Sequence, residues 1–264
     1  MKPIIKWTLL QRRASTIWWS IGAFGLIFIN MIFYPSFKDQ AAELQKSFEN
    51  LPDAAVQFIG GSTDFFSPVG FLNSQIYFLM LPLLLGILAI GLGASLIGKE
   101  EQDKTIETIL ARPISRDRLL LSKAIAGIMI LTVATIVSFI TVFFTKYAVD
   151  LEISNGTIVA VTFVCWLLET SFVAIAYTVA SSGRARGASI GIATVFALGG
   201  YLVSSLAGTV KWLEWPSKIL PFHYYQPEAI LKSTYNWQNL WYFVGILVIC
   251  TLLSRMLFRK RDLS

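Results

Sequence analysis

The stretch FFSPVGFLNSQIYFLMLPLLLGILAIGLGASLIG (65–98) contains no charged residue. A helix needs about 20 mostly apolar residues to cross the hydrocarbon core of a bilayer, and this run is longer than that. Charged residues flank it, with Asp64 before it and Lys99 after it. The run therefore predicts a membrane-spanning helix rather than a core helix of a soluble domain.

Five further apolar runs have the same character, and 153–183 is broken only by Glu169. Hydrophobic residues make up 55% of the chain and charged residues 14%, whereas a soluble domain carries about 25% charged residues. We predict an all-α integral membrane protein, one transmembrane domain over 1–264. Its six spans are 16–35, 73–97, 118–145, 157–181, 188–209 and 238–257. The first span, 16–35, is not followed by the small-residue pattern of a signal-peptide cleavage site, so we expect it to remain as a membrane anchor.

Lysine and arginine are distributed unevenly between the two sides of these spans. With the N-terminus inside, six of the 22 basic residues fall in outer segments and the other 16 in inner ones. The six outer residues are Lys38, Lys46, Lys146, Lys211, Lys218 and Lys232. This positive-inside asymmetry predicts that both termini are cytoplasmic. It also explains the net charge of +6 without a nucleic-acid partner.

Segments outside the spans have patterns of their own. Residues 1–15 are basic and amphipathic, which predicts a short interfacial helix in contact with membrane lipid, with Ser15 as N-cap of the first span. Pro82 predicts a kink in the second span. The outer segment 210–237 is rich in aromatic residues, which we expect to lie at the lipid headgroups. They are Trp212, Trp215, Tyr224, Tyr225, Tyr235 and Trp237.

The end of the second span, GASLIGKE (93–100), resembles the phosphate loop G-x-x-x-x-G-K-[ST] in all but its last residue. A phosphate loop follows a strand and opens a helix, so that backbone N–H groups point at the phosphates. Here a membrane helix ends, and Glu100 and Glu101 would repel phosphate. We therefore predict no nucleotide site in this chain.

The most polar inner stretch is GKEEQDKTIETILARPISRDRLLLSKAI (98–125). Asp103 is a candidate N-cap for a short helix, Pro113 would end that helix, and Ser115 would cap the next one. One apolar stripe lies along this helix: Ile106, Ile109 and Leu110. A helix this short needs a partner, which is the bilayer surface, its own protein or another subunit.

This region resembles the coupling-helix region of ABC type-2 transporter permeases, the six-span membrane subunits of many bacterial exporters. The residues that match the family pattern are Glu100, Glu101, Thr105, Glu107, Ile109, Leu110, Pro113, Ile114, Ser115, Arg116 and Lys123. Lys104 departs from it, because the family usually has glycine there. A second, weaker match is LPFHYYQP (220–227), which resembles the aromatic-proline stretch before the last span.

The resemblance implies a non-catalytic permease subunit with a cytoplasmic coupling segment at 98–117. Two permeases, as two copies or as paralogues, would each dock one of two cytosolic ABC ATPase subunits. ATP and Mg²⁺ would bind to those ATPases, and no cofactor or metal to this chain. The expected coupling residues are Glu100, Glu101, Thr105, Ile106, Glu107, Ile109, Leu110, Arg112, Pro113, Ser115 and Arg116. The apolar ones would be buried anchors and the charged ones would form a rim.

A small permease with modest outer loops suits export of amphipathic or hydrophobic cargo, such as a peptide, a drug or a lipid. We expect a multi-pass protein of a bacterial plasma membrane. A membrane sensor or immunity scaffold built on the same frame is an alternative to transport.

Glu169 lies near the middle of the fourth span, where an ionisable side chain is costly and indicates a functional site by default. A functional Glu169 would line the export pathway, bind a cationic substrate or titrate. The structural alternative is an interhelix lock, for instance through a hydrogen bond to a neighbouring Ser or Thr.

The histidine and the cysteines of this chain do not form the sites that intramembrane enzymes need. His223 is the only histidine, whereas the metalloprotease motif H-E-x-x-H needs two. We expect His223 to be an interfacial aromatic residue of the outer segment. The two cysteines, Cys165 and Cys250, lie in predicted spans and are expected to be apolar packing residues.

Overall fold

A computed structural model describes residues 1–39, 67–102 and 115–260, with the backbone alone at 99–102. Six long helices form the bundle: α1 (Lys2–Ile32), α2 (Met80–Gln102), α3 (Arg116–Ala148), α4 (Asn155–Ser181), α5 (Arg186–Leu206) and α6 (Leu240–Arg259). Each belongs to a stretch long and apolar enough to cross a membrane. The described residues form no β-strand. The prediction of an all-α protein with six spans is confirmed.

The first span and the residues before it form one helix, because α1 runs unbroken from Lys2 to Ile32. The expected N-cap at Ser15 is therefore wrong. Thr16 shows how a hydroxyl is accommodated inside α1, since its Oγ1 donates to the Arg12 carbonyl over 3.0 Å. A hydroxyl satisfied by its own helix does not end that helix.

The second span is irregular just before Pro82. A short α-helix, Pro68–Leu72, leads into a π-helical turn, Asn73–Tyr77, before α2 begins. The Phe78 N–H donates to the Asn73 carbonyl, five residues back, over 2.7 Å. Because Pro82 has no N–H for the Phe78 carbonyl, the series of α-helical hydrogen bonds is also interrupted where this turn joins α2.

The stretch 93–100 lies inside α2, near its C-terminal end. It follows a helix rather than a strand, and the backbone groups exposed at such an end are carbonyls. The local geometry is thus that of a helix terminus and not that of a phosphate loop.

The central helix of the bundle is α4, which packs against α2, α3, α5 and α6, while α1 packs mainly against α3. The helices α2 and α4 approach closely at Gly93. A methyl group there would lie 2.5 Å from the Val173 carbonyl oxygen and 2.7 Å from the Ala176 Cβ. Only a residue without a side chain permits this separation.

The helices alternate in direction, so their ends form two opposite faces. One face, the basic end, contains the first turns of α1, α3 and α5 and the last turns of α2, α4 and α6. Two long-range hydrogen bonds join helices near this end. Tyr177 of α4 donates to the Leu120 carbonyl of α3 over 2.8 Å, and Arg12 of α1 donates to the Ser95 carbonyl of α2 over 3.0 Å.

The opposite face, the aromatic end, carries residues 207–239. Short helical turns follow one another there: Lys211–Leu213, Glu214–Ser217, Pro221–Tyr224, Pro227–Leu231 and Trp237–Asn239. Trp212 and Trp215 are 74% and 72% exposed, which suits the headgroup position expected for them. For Tyr225 and Tyr235 that expectation is wrong, because both are buried. The Tyr225 hydroxyl donates to the Tyr77 carbonyl over 2.6 Å and so fixes this segment to the bundle.

Candidate functional site

The predicted coupling segment connects α2 to α3 at the basic end. Ser115 and Arg116 begin α3 and are described in full, whereas Glu100 and Glu101 are described only as backbone in the last turn of α2. Residues 103–114 lie outside the described residues. With them lie Asp103, Thr105, Ile106, Glu107, Ile109, Leu110, Arg112 and Pro113, so their expected roles stay predictions.

Ser115 caps α3, as its position in the sequence predicted. Its Oγ accepts a hydrogen bond from the Arg118 backbone N–H over 3.3 Å. Asp117 follows in the first turn, where the helix dipole favours an acidic side chain. The coupling segment therefore ends where a firmly capped membrane helix begins.

A cluster that we call the α3–α6 clamp joins the start of α3 to the end of α6. The Asp117 carboxylate accepts hydrogen bonds from Arg255 Nη2 over 2.8 Å and from Arg259 Nε over 2.9 Å. Arg259 Nη2 pairs with the same carboxylate. Arg116 Nη1 donates to the Arg259 carbonyl over 3.3 Å. Single exposed ion pairs contribute little, but bidentate and networked pairs of this kind hold geometry.

The helices on both sides of the coupling segment contact other helices close to it. Besides the Arg12–Ser95 bond, α2 passes close to α5 at Gly98, where a methyl group would lie 3.5 Å from the Arg186 Cβ. On α3, Lys123 is buried and its Nζ lies 4.9 Å from the centre of the Trp7 ring of α1, a cation–π contact. Movement at the start of the segment would thus be passed by α2 to α1 and α5. Movement at its end would be passed by α3 to α1 and α6.

A second site lies inside the bundle at Glu169 of α4, whose side chain is 0% exposed. Neither carboxylate oxygen has a hydrogen-bond partner among the described residues. The hydrogen-bonded lock to a Ser or Thr is therefore not found in this part of the chain. The carboxylate sits against Gly86 of α2, where a methyl group would lie 3.3 Å from Oε2. A buried acid without a partner is costly, which favours a functional role.

Polar side chains continue along the same face of α4 toward the aromatic end. Thr162 and Cys165 stand seven and four residues before Glu169. The Tyr77 hydroxyl lies 2.6 Å from Thr162 Oγ1, and the Tyr77 carbonyl accepts the Tyr225 hydroxyl. The π-helical turn, α4 and the segment 207–239 therefore meet in one buried polar region between Glu169 and the aromatic end.

Two cavities meet near this region. One, of about 350 Å³, lies between α2 and α5, with Gly86, Ile90, Thr194 and Ala197 among its walls. The other, of about 770 Å³, lies at the aromatic end. Tyr201 and Phe222 line both, and their rings pack edge to face with centroids 5.8 Å apart. Two aromatic rings thus separate the apolar cavity between α2 and α5 from a cavity at the aromatic end that has Glu214, Lys218 and Gln226 among its walls.

Comparison with known families gives a match over nearly the whole chain. A family model described as ABC-2 family transporter protein matches residues 3–263. This chain belongs to the ABC-2 transporter family. A search of curated proteins and a search of solved structures gave no match.

For an ABC-2 transporter, six apolar helices constitute the membrane component of a transport system. The family is generally non-catalytic and associates in general with ABC ATPases. The resemblance inferred from residues 98–125 is confirmed at the level of the family.

Sequence reasoning missed the α3–α6 clamp of this ABC-2 transporter. Asp117 and Arg255 are 138 residues apart, and local patterns do not indicate which end charges meet. The one available signal was that Asp117 is the only acid in α3 and that α6 ends with two arginines in its last five residues.

Proposed function

We propose that this chain is the permease subunit of an ATP-driven exporter, coupled to a separate ATPase through residues 98–117. The observation that carries the proposal is the attachment of that segment's two ends to different parts of the bundle. A push on such a segment would change the distance between α2 and α3. The Ser115 cap would keep the first turn of α3 helical under that push, and the α3–α6 clamp would pass the movement of α3 to α6.

Two cytosolic ATPase subunits would dock on two permeases, which are copies of this chain or paralogues. The ATPases would bind ATP and Mg²⁺. Ile106, Ile109 and Leu110 would be the apolar anchors in the ATPase groove, because anchors at the centre of an interface supply most of the binding energy. Both termini would then be cytoplasmic, in a bacterial plasma membrane.

The cargo would be amphipathic or hydrophobic. The cavity between α2 and α5 has mostly apolar walls, with Thr194 as a polar exception. Glu169 lies behind Gly86, at the same depth. Such an arrangement suits cargo that is largely apolar and carries a polar group, and Tyr201 and Phe222 would have to separate to release it outward.

The test is co-purification of the ATPase with the Ile109→Asp/Leu110→Asp double variant. We expect the variant to insert into the membrane at wild-type level and to lose the ATPase, since two buried anchors become charged. The matched control is Thr108→Asp/Ala111→Asp, which adds the same charge on the opposite side of the predicted helix. Retention of the ATPase by the anchor variant, or equal loss in the control, would contradict the coupling role.

A further inference from the structure

A third cavity, of about 370 Å³, forms a groove between α3, α4 and α6 at the basic end. Its walls are mainly apolar, and they include Leu121, Ile125, Ile128, Val173 and Leu247. Leu121 is 46% exposed, so the groove lies at the surface that faces the surrounding lipid. It is separate from the cavity between α2 and α5, because the two cavities have no lining residue in common.

The groove has a polar end formed by the α3–α6 clamp, since Asp117 and Arg255 also line it. Arg255 and Arg259 both donate to the one carboxylate of Asp117, and Arg116 donates to the Arg259 backbone carbonyl. The helices α3 and α6 contain no other acidic residue. The side chains of Arg255 and Arg259 are 52% and 55% exposed. Among the described side chains of the clamp, two exposed arginines therefore share one carboxylate, which leaves positive charge accessible to a ligand.

The length of the groove matches one leaflet of a bilayer. On α3 its lining extends from Asp117 to Ile128, and on α6 from Leu247 to Arg255. At 1.5 Å per helical residue these stretches cover about 16 Å and about 12 Å. Half of the hydrocarbon core of a bilayer measures about 15 Å.

We propose that this groove binds one anionic phospholipid. Its acyl chain would lie along Leu121, Ile125 and Leu247, and its phosphate would accept hydrogen bonds from Arg255. The Arg255 guanidinium uses one nitrogen on Asp117, and a guanidinium has five N–H donors, so donors remain for a phosphate. Basic pockets between membrane helices bind anionic headgroups in the same way. An uncharged apolar cargo would make no use of the arginines, and this favours the lipid.

The Asp117 carboxylate would repel a phosphate bound to Arg255 and partly neutralises the charge of that arginine. Removal of the carboxylate should therefore strengthen lipid binding, although it removes an ion pair. A purely structural clamp predicts the opposite pattern, in which variants of Asp117 and Arg255 both lose stability and neither changes lipid preference.

The experiment measures lipid retention on the purified full chain by native mass spectrometry. The probes are phosphatidylglycerol and phosphatidylcholine with identical acyl chains. We expect the wild type to prefer phosphatidylglycerol, Arg255→Gln to lose about tenfold in that preference, and Asp117→Asn to gain. Ala174→Trp, which fills the groove from α4, should reduce retention of both lipids. Circular dichroism checks that each variant is folded.

Arg184→Gln is the matched control, because Arg184 is an exposed arginine of the basic end that does not line the groove. It should leave the preference unchanged. Equal retention of the two lipids by the wild type would overturn the proposal. An equal loss in Arg184→Gln and Arg255→Gln would also overturn it, since general surface charge would then explain the binding. Unchanged retention of both lipids in a folded Ala174→Trp variant would also overturn the proposal, since the lipids would then bind elsewhere.

Discussion

Replacement of Gly93 by alanine tests the close contact between α2 and α4. The new methyl group would lie 2.5 Å from the Val173 carbonyl oxygen, whereas carbon–oxygen contacts are normally at least about 3.3 Å. The two helices must therefore separate locally by about 0.8 Å. Overpacking of this kind costs about 1–3 kcal/mol.

Alanine also has a higher helix propensity than glycine, by about 1 kcal/mol, which offsets part of that cost. Gly91→Ala separates the two effects, because no atom lies within 4 Å of a methyl group at Gly91 of the same helix. Both variants gain the same propensity. Their difference in free energy of unfolding should thus be about 1–3 kcal/mol, or about five- to 150-fold in the unfolding equilibrium constant.

The assay is unfolding of each purified variant in mixed micelles by increasing SDS, followed by circular dichroism. We expect Gly91→Ala to be as stable as the wild type or more stable, and Gly93→Ala to unfold at lower SDS than Gly91→Ala. Equal stability of the two alanine variants would refute the close approach of α2 and α4 at Gly93.

Three further predictions concern the aromatic end and the buried acid. Tyr225→Phe should lower the free energy of unfolding by about 0.5–1.5 kcal/mol, because the buried Tyr225 hydroxyl donates to the Tyr77 carbonyl. Tyr224→Phe is the control: it loses an exposed hydrogen bond to the Lys218 carbonyl and should lower the free energy of unfolding less. Burial lowers the pKa of His223 below its ordinary value of 6.5. The contribution of the neutral His223 to stability is therefore present above pH 6.5 and is lost as pH falls through the lowered pKa. In SDS unfolding, the free energy of unfolding should fall less between pH 7 and pH 5 for His223→Asn than for the wild type. Glu169→Gln should change cargo export more than it changes yield or assembly, since no hydrogen bond is lost; unchanged export at every pH tested would leave Glu169 a structural residue only.

The number and order of the spans could be read from the sequence because the length of an uncharged run does not depend on its neighbours. The same holds for the Ser115 cap, which needs only the backbone three residues ahead of it. A serine or threonine marks the start of a helix less reliably than an apolar run marks a span. Ser15 stands where a cap was expected, but hydroxyls inside a helix can bond back to it, as Thr16 does, so α1 continues.

Long-range contacts could not be read in this way. Tyr225 belongs to a segment whose composition suits the headgroups, yet its hydroxyl reaches a carbonyl 148 residues earlier in the chain. The sequence places Glu169 within a span, where the structure also has it, but its proximity to Gly86 depends on how α2 and α4 pack. The α3–α6 clamp similarly needs the two helix ends to be neighbours, which no local pattern specifies.

The most direct test of coupling is the ATP hydrolysis rate of the partner ATPase in proteoliposomes, measured with and without this chain. We predict that the wild-type chain changes the rate and that the Ile109→Asp/Leu110→Asp variant, present at the same density, leaves it at the value of the ATPase alone. A rate that is the same without the chain, with the wild type and with the variant would contradict the account.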